Sequence, residues 1–401
     1  METDRHALRA DIARRLFRTD AGVALPDRMG LELELLPVER ETGRVVPLEG
    51  EDGTKRLLAQ VGLTFNWTVD PLGIHHAPCG CRVTFEPGGQ IEISTPTAPT
   101  VDRAVDCLRA ATDALATVGE RWGIALEAVG FDPRTPLSHT RLQLDDPRYR
   151  AMDRHLARFG PAGARMMRQS CALQVNLDLG RDPFGRWQAA NRIAPLLTAL
   201  FANSARAEGQ ETGWRSWRAA QWRMLDPSRT GCVGPGHDPV REYLAFARAA
   251  DPFLEATAWT EAGRPTAAWE RHLSTLFPEV RPRGYLELRS IDAVPLEWVA
   301  APLVVAAGLL YDPRSVARVR DALPFPDEAD LGAAAREGLK DDIVRAMAAW
   351  AFECALEGAE RLGAAFIGGA AFRTALDYYE RFTAEGRDLS SPTASVGAQA
   401  G

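Results

Sequence analysis

The chain has 401 residues, 46% of them hydrophobic, with a formal net charge of -7 and a pI near 5.6. That is enough apolar material for a substantial core in one large domain or two intimately joined ones. The acidic balance excludes a general nucleic-acid or anionic-membrane surface, either of which needs clustered excess cation.

The N-terminus, METDRHALRADIARRLFRTD, carries charge throughout and lacks the apolar core of a secretory signal, so a cytoplasmic protein is expected. Leu8, Ile12 and Leu16 have helical spacing over Asp4 to Phe17. A strand follows from Met29, then a hairpin connection at Glu41 to Arg44, a helix near Lys55 to Val61 and strands near Leu63 to Val69. His75, His76, Cys79 and Cys81 gather zinc-type ligands, but so short a run does not let four ligands reach a tetrahedron and no second half follows. They read as a loop beside the active site. Next comes EPGGQIEIS, Glu86 to Ser94, a tight turn running into a strand. Pro99 and Thr100 introduce a long helix, Val101 to Trp122, and a strand is expected over Ile124 to Val129. A Pro-, Asp- and Arg-rich loop containing His139 leads to a helix through Met152 and Leu156.

Beyond the strand LQVNLDL, Leu173 to Leu179, a helix spans about Phe184 to Asn203. It precedes a cluster of Trp214, Arg215, Trp217, Arg218, Trp222, Arg223 and Arg229. Such a patch can stack single-stranded nucleic acid, but it is isolated in an acidic chain. Trp269 to Phe277 reads as helix, YLELR as a strand after Gly284, and Pro295 to Ala384 as Ala-rich structural helices. The longest apolar run, Val299 to Tyr311, is interrupted by Pro302 and falls short of the ~20 residues of a membrane span. The last residues lack large apolar side chains, so residues 386–401 are expected to form a disordered tail after a domain of residues 1–385. The six cysteines show no disulfide framework. Lysine occurs only at 55 and 340, neither in the Gly-x-x-x-x-Gly-Lys setting of a phosphate loop, so any nucleotide must be held by metal and Arg.

Four strands share one grammar. GLELELL sets Glu32 and Glu34 against Leu31, Leu33 and Leu35; the turn strand sets Gln90, Glu92 and Ser94 against Ile91 and Ile93, with Glu86 brought close. LQVNLDL sets Gln174, Asn176 and Asp178 on one face, and YLELR sets Glu287 and Arg289 with Tyr285. If these faces converge, each carboxylate pair at ~5 Å costs roughly 3 kcal/mol at an effective dielectric near 20, so cations must lie between them. All-oxygen donors suit Mg²⁺ or Mn²⁺.

These stretches, together with GPAGARMMRQSCALQVNLDLG, TGWRSWRAAQWRMLDPSRTG and HLSTLFPEVRPRGYLELRSIDAVP, resemble the plant-type glutamate–cysteine ligases. The likeness is greatest to the bacterial branch serving ergothioneine synthesis. The resemblance implies an α+β fold, in which a curved antiparallel sheet forms the funnel of the glutamine-synthetase-like catalytic core, covered by helices. It implies ATP as co-substrate and an acyl phosphate that joins glutamate, through its γ-carboxylate, to the amine of cysteine. By position, the family's metal ligands fall on Glu32, Glu34, Glu86, Glu92, Gln174 and Glu287. The resemblance further implies catalytic roles for Arg289, Glu92 and Glu287, with Arg289 expected to stabilise the transferred phosphoryl group. By the same resemblance Arg215, Arg218, Trp222, Arg229, Asn176 and Gln90 are expected to bind substrate or nucleotide, Arg215 and Arg218 at carboxylate or phosphate, Trp222 and Arg229 around glutamate. Two alternatives stand beside this: a γ-glutamyl ligase of the same fold acting on another amine, and a non-catalytic metal- or nucleotide-binding protein.

Overall fold

A computed structural model describes residues 2–19, 27–254 and 258–391. Its centre is a nine-stranded antiparallel sheet. The strands are β1 (Met29–Glu39), β2 (Thr68–Val69), β3 (His75–His76), β4 (Arg82–Phe85), β5 (Ile91–Ser94), β6 (Ile124–Glu127), β7 (Ala172–Asp178), β12 (Val280–Pro282) and β13 (Tyr285–Asp292). Between β7 and β12 lie two small hairpins, β8 (Arg206–Ala207) with β9 (Gln210–Glu211) and β10 (Thr260–Glu261) with β11 (Arg264–Pro265). The sheet order is β12-β13-β7-β1-β5-β4-β3-β2, with β6 also paired to β1.

Alternation explains what each face does. Leu31, Leu33, Ile91, Ile93, Leu173, Val175, Leu177, Leu286 and Leu288 are all buried on one face. The helices Val101–Arg121, Pro183–Leu200 and Ala300–Leu310 pack on that side of the sheet. The first starts on Thr100, whose side chain accepts the Arg103 N–H, and the second on Asp182 with Pro183 in its first turn. Ala300–Leu310 is buried on every side, which accounts for its unbroken apolar sequence. Among the described residues no single helix is long and apolar enough to cross a membrane.

The expected α+β architecture, an antiparallel sheet covered by helices, is the one observed. Two local expectations are corrected. The helix Thr54–Phe65 continues through Leu63, ending on Asn66 at φ 57°, so strand is left only to Thr68–Val69. The start of the expected tail is packed: Asp388 is buried and ion-paired to Arg215, while residues 392–401 lie outside the described residues. All six cysteines are free thiols.

Candidate active site

The polar face of the sheet floors a cavity of about 620 Å³. Strand register brings its residues together: Glu34 pairs with Glu92 across β1 and β5, Glu32 with Gln174 across β1 and β7, and Glu287 with Asn176 across β13 and β7. Directly opposed residues on neighbouring strands have Cβ atoms about 5 Å apart, so the four sequence-distant strands must present one surface. Glu86 enters from the turn before β5. There Gly89 sits at φ +92°, and a Cβ on Gly88 would collide with the Arg168 backbone, so the EPGGQ turn closes only with glycine at both positions. Glu34, Glu86 and Glu92 each offer an oxygen within 4.8 Å of the others.

The electrostatics follow from that crowding. Burial, then Glu92 and Glu287, push Glu32 up to about 7. Burial also raises Glu34 to about 7 against the pull of Arg218 and Arg289. Glu86 is raised well above the ordinary carboxylate range by burial and by Glu92 and Glu34, and Glu92 moves the same way by burial and by Glu34. Local hydrogen bonds orient the group. Ala172 N–H donates to Glu34 at 2.8 Å, Asn176 Nδ2 to Glu32 at 2.8 Å, and Thr84 Oγ1 to Glu92 at 3.0 Å. The donor set is all oxygen, half-buried and crowded with carboxylates, which fits a hard divalent cation.

Cations flank the floor at its β13 edge. Arg289 Nη1 donates to Gln174 Oε1 at 2.6 Å and to Glu287 Oε2 at 2.9 Å, and its Nε is buried without a partner. Glu287 differs from the expected open ligand. It is fully buried, and Arg281, Arg283 and Arg289 occupy both of its oxygens. Burial alone would raise its pKa, but Arg281 and Arg289 hold it well below the carboxylate range.

A sequence model described as glutamate–cysteine ligase family 2 matches residues 28–387. The chain belongs to this family. Among its relatives, a "Glutamate--cysteine ligase EgtA" of Mycolicibacterium smegmatis is 36% identical over 71% of this chain and 72% of its own length. A chloroplastic glutamate–cysteine ligase A of Oryza sativa subsp. japonica is 28% identical over 73% of this chain and 65% of its own. The fold is shared with a Francisella tularensis glutamate–cysteine ligase solved in complex with AMP, at TM-score 0.54, 14% identity, and coverage of 92% of this chain and 84% of that one.

In this family member the remaining predicted site residues divide. Arg218, Trp222 and Gln90 line the cavity. Arg218 lies over the Trp222 ring at 5.1 Å and pairs with Asp292 at 3.4 Å. Arg215 and Arg229 do not line it. Arg215 Nε donates to Asp388 at 2.7 Å, fastening the C-terminal segment. Arg229 is fully buried, with Asp226 at 3.1 Å and Thr275 Oγ1 at 2.7 Å. Both are structural because a buried guanidinium requires anions and carbonyls around it, and these two find them inside the protein. Asn176 reaches the floor only through Glu32. His76 pairs with Asp70 at 3.2 Å, and the Cys79 and Cys81 thiols donate to the Cys107 carbonyl, so these three are bound up locally, while His75 Nδ1 is buried without a partner; none of the four lines the cavity.

Sequence reasoning missed Arg281 and Arg283, although the signal was present. Gly284 turns the chain at φ +79°, so RPR folds back on YLELR and places Arg281 directly opposite Glu287. It also missed the wall of Tyr149, Met152, Met166, Met167 and Phe277, which comes from elements that only the tertiary fold brings over the sheet.

Proposed function

We propose that this protein is an ATP-dependent glutamate–cysteine ligase, making γ-glutamylcysteine, ADP and phosphate for low-molecular-weight thiol synthesis of the ergothioneine type. The observation that carries the reading is the trio Glu34, Glu86 and Glu92 within 4.8 Å, faced across Gln174 by Arg289. Membership of the family and the likeness to the EgtA ligase support it.

A carboxylate is a poor acyl donor. An oxygen of the glutamate γ-carboxylate attacks the γ-phosphorus of ATP, ADP departs, and the resulting acyl phosphate carries phosphate as leaving group. The cysteine amine then bonds to the carbonyl carbon, the carbon–oxygen bond to phosphate breaks, and the amine's proton passes to phosphate or solvent. Such phosphoryl transfer is accelerated chiefly by positioning and charge neutralisation. Glu32, Glu34, Glu86, Glu92 and Gln174 would hold Mg²⁺ or Mn²⁺, which supplies charge neutralisation at the phosphates when bound. Glu287 takes a different part. Pinned by three guanidinium groups, it fixes Arg281, Arg283 and Arg289 at the cavity edge. Arg289 lines the cavity beside the carboxylates, where its guanidinium can stabilise a phosphoryl oxygen.

The test is ADP release by the purified protein with ATP, magnesium and glutamate, with cysteine or a panel of other amines added, and products read by mass. Stimulation chiefly by cysteine with γ-glutamylcysteine formed supports the reading. Stimulation by another amine keeps the chemistry and changes the acceptor, and no turnover with any amine overturns it.

A further inference from the structure

The alternation of β13 breaks where the strand reaches the site. Leu286 and Leu288 turn into the core, so strict alternation would send Ser290 after them and lift Ile291 out. Instead Leu288 faces Val175 and Ile291 faces Leu173, which leaves Arg289 and Ser290 together opposite Gln174 alone. This is a β-bulge. It returns Ile291 to the core and sets Asp292 beside Ala172 on the polar side, where Asp292 pairs with Arg218. It also interrupts the ladder at the residue whose guanidinium stands among the carboxylates.

Neighbouring segments take up the interrupted backbone groups. Arg289 N–H donates to the Glu279 carbonyl at 2.9 Å, the Arg289 carbonyl accepts from Arg218 Nη2, and the Ser290 carbonyl accepts from Thr198 Oγ1 at 3.2 Å. Glu279, the residue before β12, does more. Its Oε2 accepts the Ser290 hydroxyl at 2.7 Å and its Oε1 accepts Arg223 Nη2 at 2.8 Å, with both the Glu279 and the Arg223 side chains only 11% exposed. Arg223 is braced in turn by Glu328 at 2.9 Å and by the Thr230 carbonyl at 2.9 Å. Two positions earlier, Phe277 has its ring centre 5.8 Å from the Arg289 guanidinium. Glu279 thus grips both bulge residues, one through its carbonyl and one through its carboxylate, yet it does not line the cavity.

We propose that Glu279 is a positioning residue for Arg289: its carboxylate, braced by Arg223, locks the bulge so that the guanidinium meets the transferring phosphoryl group in one orientation. The inference rests on the ligase reading above and adds what holds the cation which that reading requires. A bulge bends and twists its strand locally, so freedom left at Ser290 is magnified along the length of an arginine side chain. Misplacing a catalytic group by about 1 Å costs up to about 100-fold in rate. Because the Glu279 carboxylate stands outside the cavity, its loss should fall on kcat and spare binding.

Steady-state kcat and KM for ATP, glutamate and cysteine are measured for wild type, Glu279→Ala, Glu279→Gln and Ser290→Ala, and Glu279→Ala is repeated in the Arg289→Lys background, with folding checked by circular dichroism. Glu279→Ala should lower kcat about 10- to 100-fold with each KM within about twofold. Glu279→Gln can still bridge Arg223 and the Ser290 hydroxyl, so it should keep kcat within about threefold. In the Arg289→Lys background Glu279→Ala should cost less than about twofold, because an ammonium on a flexible stem is a point charge that needs no aiming. A glutamate that only supports the fold would cost the same factor in both backgrounds, and that result would overturn the proposal, as would full kcat in folded Glu279→Ala. Should Glu279→Ala not fold, Ser290→Ala removes the same contact from the other side and should lower kcat about 10-fold; an unchanged kcat there overturns the proposal equally. Failure of the ligase reading looks different: the wild-type protein itself would release no ADP with any amine, and the positioning role would fall with it.

Discussion

Replacing Glu34 by Gln tests the carboxylate floor most directly, because its effects on stability and on activity should have opposite signs. Glu34 lies opposite Glu92 in the sheet and shares a site within 4.8 Å with Glu86 and Glu92. A carboxyl moved from 4.5 to about 7 costs about 3 kcal/mol when ionised in the folded protein. Glutamine keeps the length and an oxygen to accept the Ala172 N–H, but removes the charge. In EDTA at pH 8 the variant should therefore be more stable by up to about 3 kcal/mol, raising the melting temperature by about 3–4 °C for a chain of this size. Ligase turnover in magnesium should fall at least about 100-fold, since charge complementarity at the transferring phosphoryl group is lost. Calorimetry in EDTA and an ADP-release assay read the two effects. A variant with full turnover, or one less stable than wild type without metal, would refute the view that these carboxylates repel one another in wait for a cation.

The same crowding sets a pH dependence. Glu32 and Glu34 have folded values near 7 against 4.5 unfolded, so their contribution to stability is present below 4.5 and lost as pH rises to about 7. Magnesium, which takes the ionised form, should raise the melting temperature more at pH 8 than at pH 5. Arg289→Lys should lower kcat about 100-fold or more without unfolding the protein, since one ammonium cannot hold Gln174, Glu287 and a phosphoryl oxygen together; steady-state kinetics with circular dichroism check it. Arg215→Ala should instead cost about 3–5 kcal/mol in urea unfolding, because it strands Asp388 as a buried charge, while leaving the KM values of the folded fraction unchanged.

Legibility from sequence tracked the period of two. Because alternate residues of a strand face opposite ways, GLELELL, EPGGQIEIS, LQVNLDL and YLELR disclosed which side chains share a face, and the mutual repulsion of Glu32, Glu34, Glu86 and Glu92 followed from their identity alone. Long helices with capping residues, such as Thr100 before Val101, were equally plain. Arg215 and Arg229 were not, for an arginine in a Trp- and Arg-rich stretch carries no mark of whether it meets a substrate or an internal aspartate. Asp388 lies 173 positions from Arg215, and no local pattern joins them.

What the sequence by itself determined was therefore the chemistry of the floor: strands of fixed alternation, oxygen donors on one side, leucine and isoleucine on the other. Only the tertiary structure decided which cations stand free. It closed three guanidinium groups on Glu287, set Arg215 and Arg229 to internal work, and brought three methionines over the carboxylates from helices outside the sheet. The physical reason is range. Alternation and capping are fixed by neighbours a few bonds away, whereas the pairing of a long charged side chain depends on whichever opposite charge the completed fold leaves within about 4 Å of its head.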